Sequence, residues 1–335
     1  MQIEIAQQSH KNPHKNLNGD FCTYQMLDSE KLVVMTLADG VGSSPCDWKA
    51  SKVSCQFFLK AFAASSEPGI TNRFRQSLQK TNQALLLETG ACKQMKSTFC
   101  AVVWDQVNGF IYYVNIGDSR IYHWQANELK QISIDEVKSV ILTKKNGKPI
   151  VVAGVVAVAG GVTNVLGSPE LKFEIKVISA EKVDGIVLTT DGFHGASQDF
   201  PKDLLATMNN LDLDNGLALL YQKYKDRQKD DMTILAMRQV SDAREYDLIQ
   251  AIAANQDTGS VSKLELTKAI IHGLTRSIKA KNSGQAMALI NQCKERNVDL
   301  GREKTGELIS LVINVDFQDG EVYQHLLRLM RNSKG

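Results

Sequence analysis

Apolar and polar positions change period several times in the first 240 residues, then settle into a helical period. Lys31 to Ala38 is a nearly continuous apolar run that stops at Asp39-Gly40, the pattern of a strand buried on both faces. Ser44-Pro45 predicts a helix start, with Ser as the cap and Pro in the first turn. Val53, Phe57 and Ala61 then make one stripe, which Phe58 and Phe62 widen, and a second helix is expected over Thr71 to Glu88. Thr98 to Asp105 reads as a strand, Asn108-Gly109 as a tight turn and Phe110 to Ile116 as the return strand. Gly117-Asp118-Ser119 breaks the run before Arg120 to Trp124. Leu171 to Ile178 alternates apolar and polar, as a half-buried strand should. Gly185 to Thr190 and Met232 to Met237 complete the strands, with helical pattern from Pro201 to about Tyr224 between them. Consecutive strands around a hairpin, with helices in pairs, favour layered α/β (α+β) packing of largely antiparallel sheets over a doubly wound parallel sheet.

From Ser241 onward the spacing is helical: Glu245 to Ala254, Leu264 to Ala280, Gly284 to Arg296, Glu307 to Val315 and Tyr323 to Met330. The expected division is therefore 1–240 and an all-helical domain over 241–335. One segment, Pro149 to Leu166, is almost free of charge. It is shorter than the ~20 apolar residues of a membrane span and is interrupted by Gly154, Gly160 and Gly161, so it reads as a buried or flap-like element.

The composition adds limits rather than a direction. With 335 residues, 43% hydrophobic and 23% charged, the chain can bury a sizeable core and a second domain. A net charge of +2 with no dense Lys/Arg run argues against a nucleic-acid partner, and no membrane partner is expected. The six cysteines form no CxxC pair or regular framework, so isolated reduced thiols in a cytoplasmic protein are expected. The N-terminus lacks the basic-then-apolar design of a signal peptide. The three tryptophans read as packing residues.

Acids at strand ends carry the chemistry. Asp39-Gly40 follows LVVMTLA, Asp118 lies in NIGDSR, Asp191-Gly192 follows GIVLTT, and Asp230-Asp231 precede MTILAM; Asp20 lies upstream in NLNGDF. A buried unpaired charge is expensive, so such a cluster points to a compensating cation, and hard Mg²⁺ or Mn²⁺ prefers oxygen ligands. Gly after Asp39 and after Asp191 lets the backbone turn sharply and approach an ion. Two such corners plus Asp230 suit a two-metal phosphoester hydrolysis.

The ordered series NxNGD, LADGVGS, STFCAVV, YVNIGDSRIY, NVLGSPE, LTTDGF and KDDMTIL resembles the metal-dependent Ser/Thr protein phosphatases of type 2C, in their bacterial form, over residues 1 to 240. The resemblance implies a four-layer α-β-β-α sandwich of two antiparallel sheets flanked by helices, with a binuclear Mn²⁺/Mg²⁺ centre and a third, weaker metal site. Asp39 is implied to bridge two metals and Gly40 to offer its carbonyl to one. Asp191 and Asp230 are implied to hold the other, Asp118 to join Asp191 at the third, and Asp20 to position metal-bound water. Lys15 stands where the family has a phosphate-binding Arg, Gly19 where Glu or Gln is common, and Asp231 where Asn is usual, which moves Asp231 to the periphery. The implied reaction is attack of a metal-bridging hydroxide on a phosphorylated Ser/Thr protein, the target of a cognate kinase or the kinase itself. His14 or His194 is a candidate leaving-group acid, and Arg120 reads as structural. Lys15 and Gly19 keep open a second class, a phosphoprotein-binding module with little turnover.

Overall fold

The computed structural model describes residues 2–332 apart from 28, 30, 126–127, 142–150, 153–154, 157, 182, 210–212, 241–248, 250, 256–262 and 315–318. The chain divides into two compact units, one of Gln7–Phe200 with Lys223–Ala236, the other of Met1–Ala6, Pro201–Gln222 and Met237–Gly335.

Two five-stranded antiparallel sheets, flanked by helices, carry the fold. One has the order β12-β5-β4-β3-β2, built from β2 (Asp20–Leu27), β3 (Leu32–Asp39), β4 (Phe99–Asp105), β5 (Phe110–Ile116) and β12 (Lys176–Ser179). The other has the order β1-β14-β13-β6-β7, from β1 (Gln2–His10), β6 (Arg120–Gln125), β7 (Glu128–Gln131), β13 (Gly185–Thr189) and β14 (Met232–Val240). The period-two pattern explains the layering. Leu32, Val34 and Ala38 of β3 share one face with Phe99, Ala101 and Val103 of β4, and there they meet Phe58, Phe62, Phe74 and Leu78. These last come from α1 (Asp47–Ala63) and α2 (Ile70–Leu86), the outer layer over that sheet. Phe58 sits at the centre, its ring 5.0 Å from Phe74 and 5.3 Å from Phe99. The opposite faces, with Val33, Met35, Leu37, Val102 and Trp104, are equally buried, which is why β3 and β4 read as continuous apolar runs.

Several local expectations shift. Ser44 does not cap α1: its hydroxyl bonds the Val41 carbonyl inside a turn, and Cys46, at φ 53°, is the residue before the helix. The inward stripe of α1 is Ser54, Phe58 and Phe62, whereas Phe57 is 39% exposed. The 171–178 strand shortens to β12; Leu171, Phe173 and Ile175 pack on the core as irregular chain. The helical stretch after Pro201 is two helices, α4 (Phe200–Met208) and α5 (Leu213–Tyr224), after a single turn α3 (Asp191–His194). The aliphatic segment forms small antiparallel ladders, β8 (Val137–Ile141) with β11 (Val158–Val162) and β9 (Val151–Val152) with β10 (Val155–Val156). Among the described residues no helix is long and apolar enough to cross a membrane.

The expectation of six reduced thiols is overturned: Cys46 and Cys92 form a disulfide, while Cys22, Cys55, Cys100 and Cys293 are free and buried. The bridge ties the start of α1 to the turn at Gly90–Cys92, beside a salt bridge from Lys49 to Glu88 at 2.6 Å.

In the other unit, α6 (Lys263–Lys279) packs on α7 (Ser283–Glu295) and α8 (Arg302–Asn314), and α9 (Gly320–Asn332) packs on α7 and α8. Ile270, Leu274, Leu289, Ile290, Leu308 and Leu326 fill their shared core. The Asn282 side chain caps α7 by accepting the Gln285 N–H at 3.0 Å. Half of the helix expected over Glu245 to Ala254, and the start of the expected second domain at 241, lie outside the described residues, although residues 251–253 are helical and Ile249 and Ile252 belong to this core.

Candidate active site

All the acids singled out in the sequence, and Lys15, belong to the unit of Gln7–Phe200 and Lys223–Ala236. Asp20 opens β2 and Asp39 closes β3, and antiparallel register sets them directly opposite each other. Asp20 is buried, and its Oδ2 accepts the Thr190 hydroxyl at 2.7 Å. Thr190 itself is stitched to the beginning of β14, its N–H donating to the Thr233 carbonyl and its Oγ1 accepting the Thr233 N–H, each at 3.0 Å. One hydroxyl therefore links the end of β13, the start of β14 and the acid on β2.

Asp39 is anchored through Thr98. The Asp39 N–H donates to Thr98 Oγ1 at 2.9 Å, the Thr98 N–H donates back to the Asp39 carbonyl at 2.8 Å, and Thr98 Oγ1 lies 2.8 Å from the Ser119 hydroxyl. That chain fixes the turn carrying Asp118, where Gly117 adopts φ 90°. The Asp-Gly corners do need glycine, for a reason other than approach to an ion. A Cβ on Gly40 would lie 2.2 Å from the Asp47 carbonyl oxygen, and one on Gly192 would lie 1.8 Å from that of Asp231. Each glycine lets its carboxylate strand end press against a neighbouring backbone.

Asp191 is the first residue of α3, and its Oδ1 is buried with no hydrogen-bond partner. Asp230 and Asp231 precede β14. Asp231 is not peripheral: it is 1% exposed, its Oδ1 accepts the Asn12 N–H at 2.6 Å, and its Oδ2 accepts the Gly19 N–H at 2.7 Å and the Lys15 ammonium at 2.9 Å. Lys15 also donates to Asp230 Oδ1. The placement of this hub was hidden from sequence reasoning because two of its donors are backbone groups more than 200 residues away, Asn12 by 219 and Gly19 by 212.

The electrostatics are those of crowded like charges. Burial first, with Asp231 and Asp191 nearby, pushes Asp20 up to about 7, although the Thr190 hydrogen bond pulls the other way. Burial and then the charges of Asp118 and Asp230 push Asp191 up to about 6. Asp39 rises well above the carboxylate range through burial and the charges of Asp20, Asp191 and Asp230. Asp118 rises through burial, Asp135 and Asp230. Protonation is one way to relieve such repulsion; a divalent cation is the other. The orphaned Asp191 Oδ1 and an all-oxygen donor set fit a hard divalent ion. Among the described residues, however, no three His, Cys, Asp or Glu side chains already form a closed cage, and Lys15 occupies Asp230.

The histidines do not complete the site. His194 Nδ1 pairs with the Thr189 hydroxyl at 3.1 Å, and burial, then Arg120, pushes its pKa down to about 3, so it is neutral at neutral pH. His14 is exposed. Arg120 is structural, gripping Asp135 through Nε and Nη2 at 2.7–3.1 Å.

The sequence pattern of the family described as Protein phosphatase 2C matches residues 7–220. The chain belongs to this family. It is thereby a member of a serine/threonine protein phosphatase family. None of the curated proteins matches the chain. Solved structures agree on the fold. A bacterial serine phosphatase is 17% identical, covering 72% of this chain and 99% of its own, with a TM-score of 0.58. The serine/threonine phosphatase Stp1 from Staphylococcus aureus is 16% identical over 72% of this chain and 96% of its own, with a TM-score of 0.57. The catalytic domain of the phosphatase PstP, described in complex with two manganese ions, is 17% identical over 70% of this chain and 97% of its own, with a TM-score of 0.54.

Proposed function

We propose that the chain hydrolyses phosphoserine and phosphothreonine on proteins in a Mn²⁺- or Mg²⁺-dependent reaction, without a phosphoenzyme. The observation that carries this reading is the convergence of Asp20, Asp39 and Asp191, each raised by burial and by its neighbours' charge, beside the unpartnered Asp191 Oδ1. Asp39 with the Gly40 carbonyl, and Asp191 with Asp230, would hold two divalent ions, and Asp118 with Asp191 a weaker third. Bound there, such ions supply Lewis acidity and charge neutralisation for an in-line displacement by water. Asp20, held by Thr190, would accept a hydrogen bond from the attacking water. Lys15 meets the phosphoryl group as a point charge, lacking the bidentate fork of arginine. The ion-binding step requires Asp230 to exchange its Lys15 partner for the cation.

The reading extends to a cytoplasmic enzyme working opposite a serine/threonine kinase, with the residues after 240 as a regulatory or docking domain. The similar structures, described as bacterial phosphatases, support the bacterial setting; the Cys46–Cys92 disulfide pulls against a reducing compartment. The test is hydrolysis of a phosphothreonine peptide and of p-nitrophenyl phosphate across Mn²⁺ and Mg²⁺ concentrations, with calorimetry of ion binding. Activity at Asp39→Asn should fall to background. Wild-type turnover no higher than that of Asp39→Asn at every metal concentration would leave a binding module as the better reading.

A further inference from the structure

The family reading gives Asp231 no task, yet its side chain is the most fully buried acid at the site and the most fully hydrogen-bonded. Its two oxygens take the N–H groups of Asn12 and Gly19, which straddle Lys15 in the loop between β1 and β2, and Lys15's own ammonium. One carboxylate thus closes the loop and holds the cation at its centre. The Lys15 N–H to Asn12 carbonyl bond at 3.0 Å tightens the same turn. An ammonium has three N–H donors. Asp231 takes one and Asp230 another, which leaves a third for an outside acceptor. Were Asp230 to take an ion in place of Lys15, Asp231 would still hold the ammonium.

We propose that Asp231 is a positioning residue that aims the Lys15 ammonium at the substrate phosphoryl group. This rests on the phosphatase reading above. An asparagine here has one acceptor oxygen in place of two, so it cannot satisfy the Asn12 and Gly19 amides and Lys15 together. It also removes the charge that holds the ammonium. The side-chain space over Gly19 is shared by the same carboxylate, since a Cβ there would lie 3.1 Å from Asp231 Oδ2 and 3.2 Å from Asp47 Oδ2.

The experiment uses the full-length protein saturated with Mn²⁺ and measures orthophosphate affinity two ways, by calorimetry and as the product-inhibition constant. Asp231→Asn should weaken orthophosphate binding about tenfold, the worth of one hydrogen bond to a charged group. It should raise KM for a phosphopeptide more than it lowers kcat, and should leave Mn²⁺ affinity within about twofold. Lys15→Met should show the same loss, and the double variant should be no worse than Lys15→Met alone. Additive losses, an unchanged orthophosphate affinity in Asp231→Asn, or a loss of Mn²⁺ binding equal to the loss of phosphate binding would each overturn the proposal. If Asp231→Asn does not fold, Asp231→Glu keeps the charge but moves it by one methylene; a folded Asp231→Glu with wild-type orthophosphate affinity also overturns it. Failure of the wild type itself to bind orthophosphate or turn over substrate sinks the phosphatase reading, which separates the two failures.

Discussion

Breaking the Cys46–Cys92 bridge is expected to destabilise the unit that carries the acids, and the size of the effect follows from chain entropy. The two cysteines are separated by 46 residues, and closing a loop of that length in the unfolded chain is worth about 4 kcal/mol at 25 °C in the entropic account. The perturbation is Cys92→Ser, which leaves α1 itself intact. Two assays check it. Thiol titration of the denatured, unreduced wild type should count the four free thiols Cys22, Cys55, Cys100 and Cys293, and six after reduction. Denaturation of wild type in urea, with and without reductant, should then differ by about 2–4 kcal/mol, while Cys92→Ser should match the reduced wild type in both conditions. The effect should also reach the site, because Asp47 follows Cys46 directly and its carbonyl abuts Gly40. Six reactive thiols before reduction, or an unfolding midpoint that ignores reductant, would refute the reasoning.

Other outcomes follow from the same geometry. Gly192→Ala places a methyl 1.8 Å from the Asp231 carbonyl oxygen and should displace the Asp230-Asp231 pair, abolishing Mn²⁺ binding by calorimetry; wild-type affinity would sink this account of the glycine. Asp20 and Asp191 are raised to about 7 and about 6 from 3.8, so the metal-free native state holds protons that the unfolded chain has released. Its stability should therefore fall as pH rises from about 4 to about 7, and the rise in Tm on adding Mn²⁺ should be larger at the top of that window than at its bottom; equal shifts would contradict it. His194 is lowered from 6.5 to about 3, so the unfolded chain takes up a proton there that the native state refuses. This group's contribution, opposite in sign to that of the two carboxyls, is lost as pH falls through that interval, by roughly 3–5 kcal/mol in the limit, and His194→Gln should remove that component from the acid-denaturation curve while leaving the pH profile of turnover in place.

What the sequence made visible had strong local signals. The β3 run is buried on both faces, and Asn108-Gly109 closes β4 onto β5 with Gly109 at φ 69°, so both strands were legible. β2 was not, because within it only Asp20 and Cys22 are buried, and Tyr24, Gln25 and Met26 are exposed in succession, which leaves no two-residue alternation to read. Residues 171–175 alternate like a strand but have no ladder partner, so they stay irregular while their apolar side chains still pack. α8 begins at Arg302, earlier than Glu307, since its first turn is polar and Gly301, at φ 79°, marks the start better than any apolar stripe. In the site, the acids at strand ends could be found because strand ends are local features. The Lys15–Asp231 pairing and the disulfide could not, since each is set by backbone that returns from a distant part of the chain.

That distance has a consequence for how the protein is made. Asp231 and the Asn12, Lys15 and Gly19 groups it gathers are separated by 212 to 219 residues. During synthesis, β2, β3, β4 and β5 can pair early and the Gly40 N–H can hold the Gly19 carbonyl, but the Asn12 and Gly19 amides and the Lys15 ammonium lack their shared carboxylate until the ribosome has released the chain beyond Asp231. At about 5–20 residues per second, that leaves an interval of some ten seconds or more in which Asp20 and Asp39 already face each other without their counterparts. Formation of the site is thus tied to near-completion of the phosphatase fold, and a chain truncated before Asp231 would carry Asp20, Asp39, Asp118, Asp191 and Asp230 but not the carboxylate that gathers the loop around Lys15.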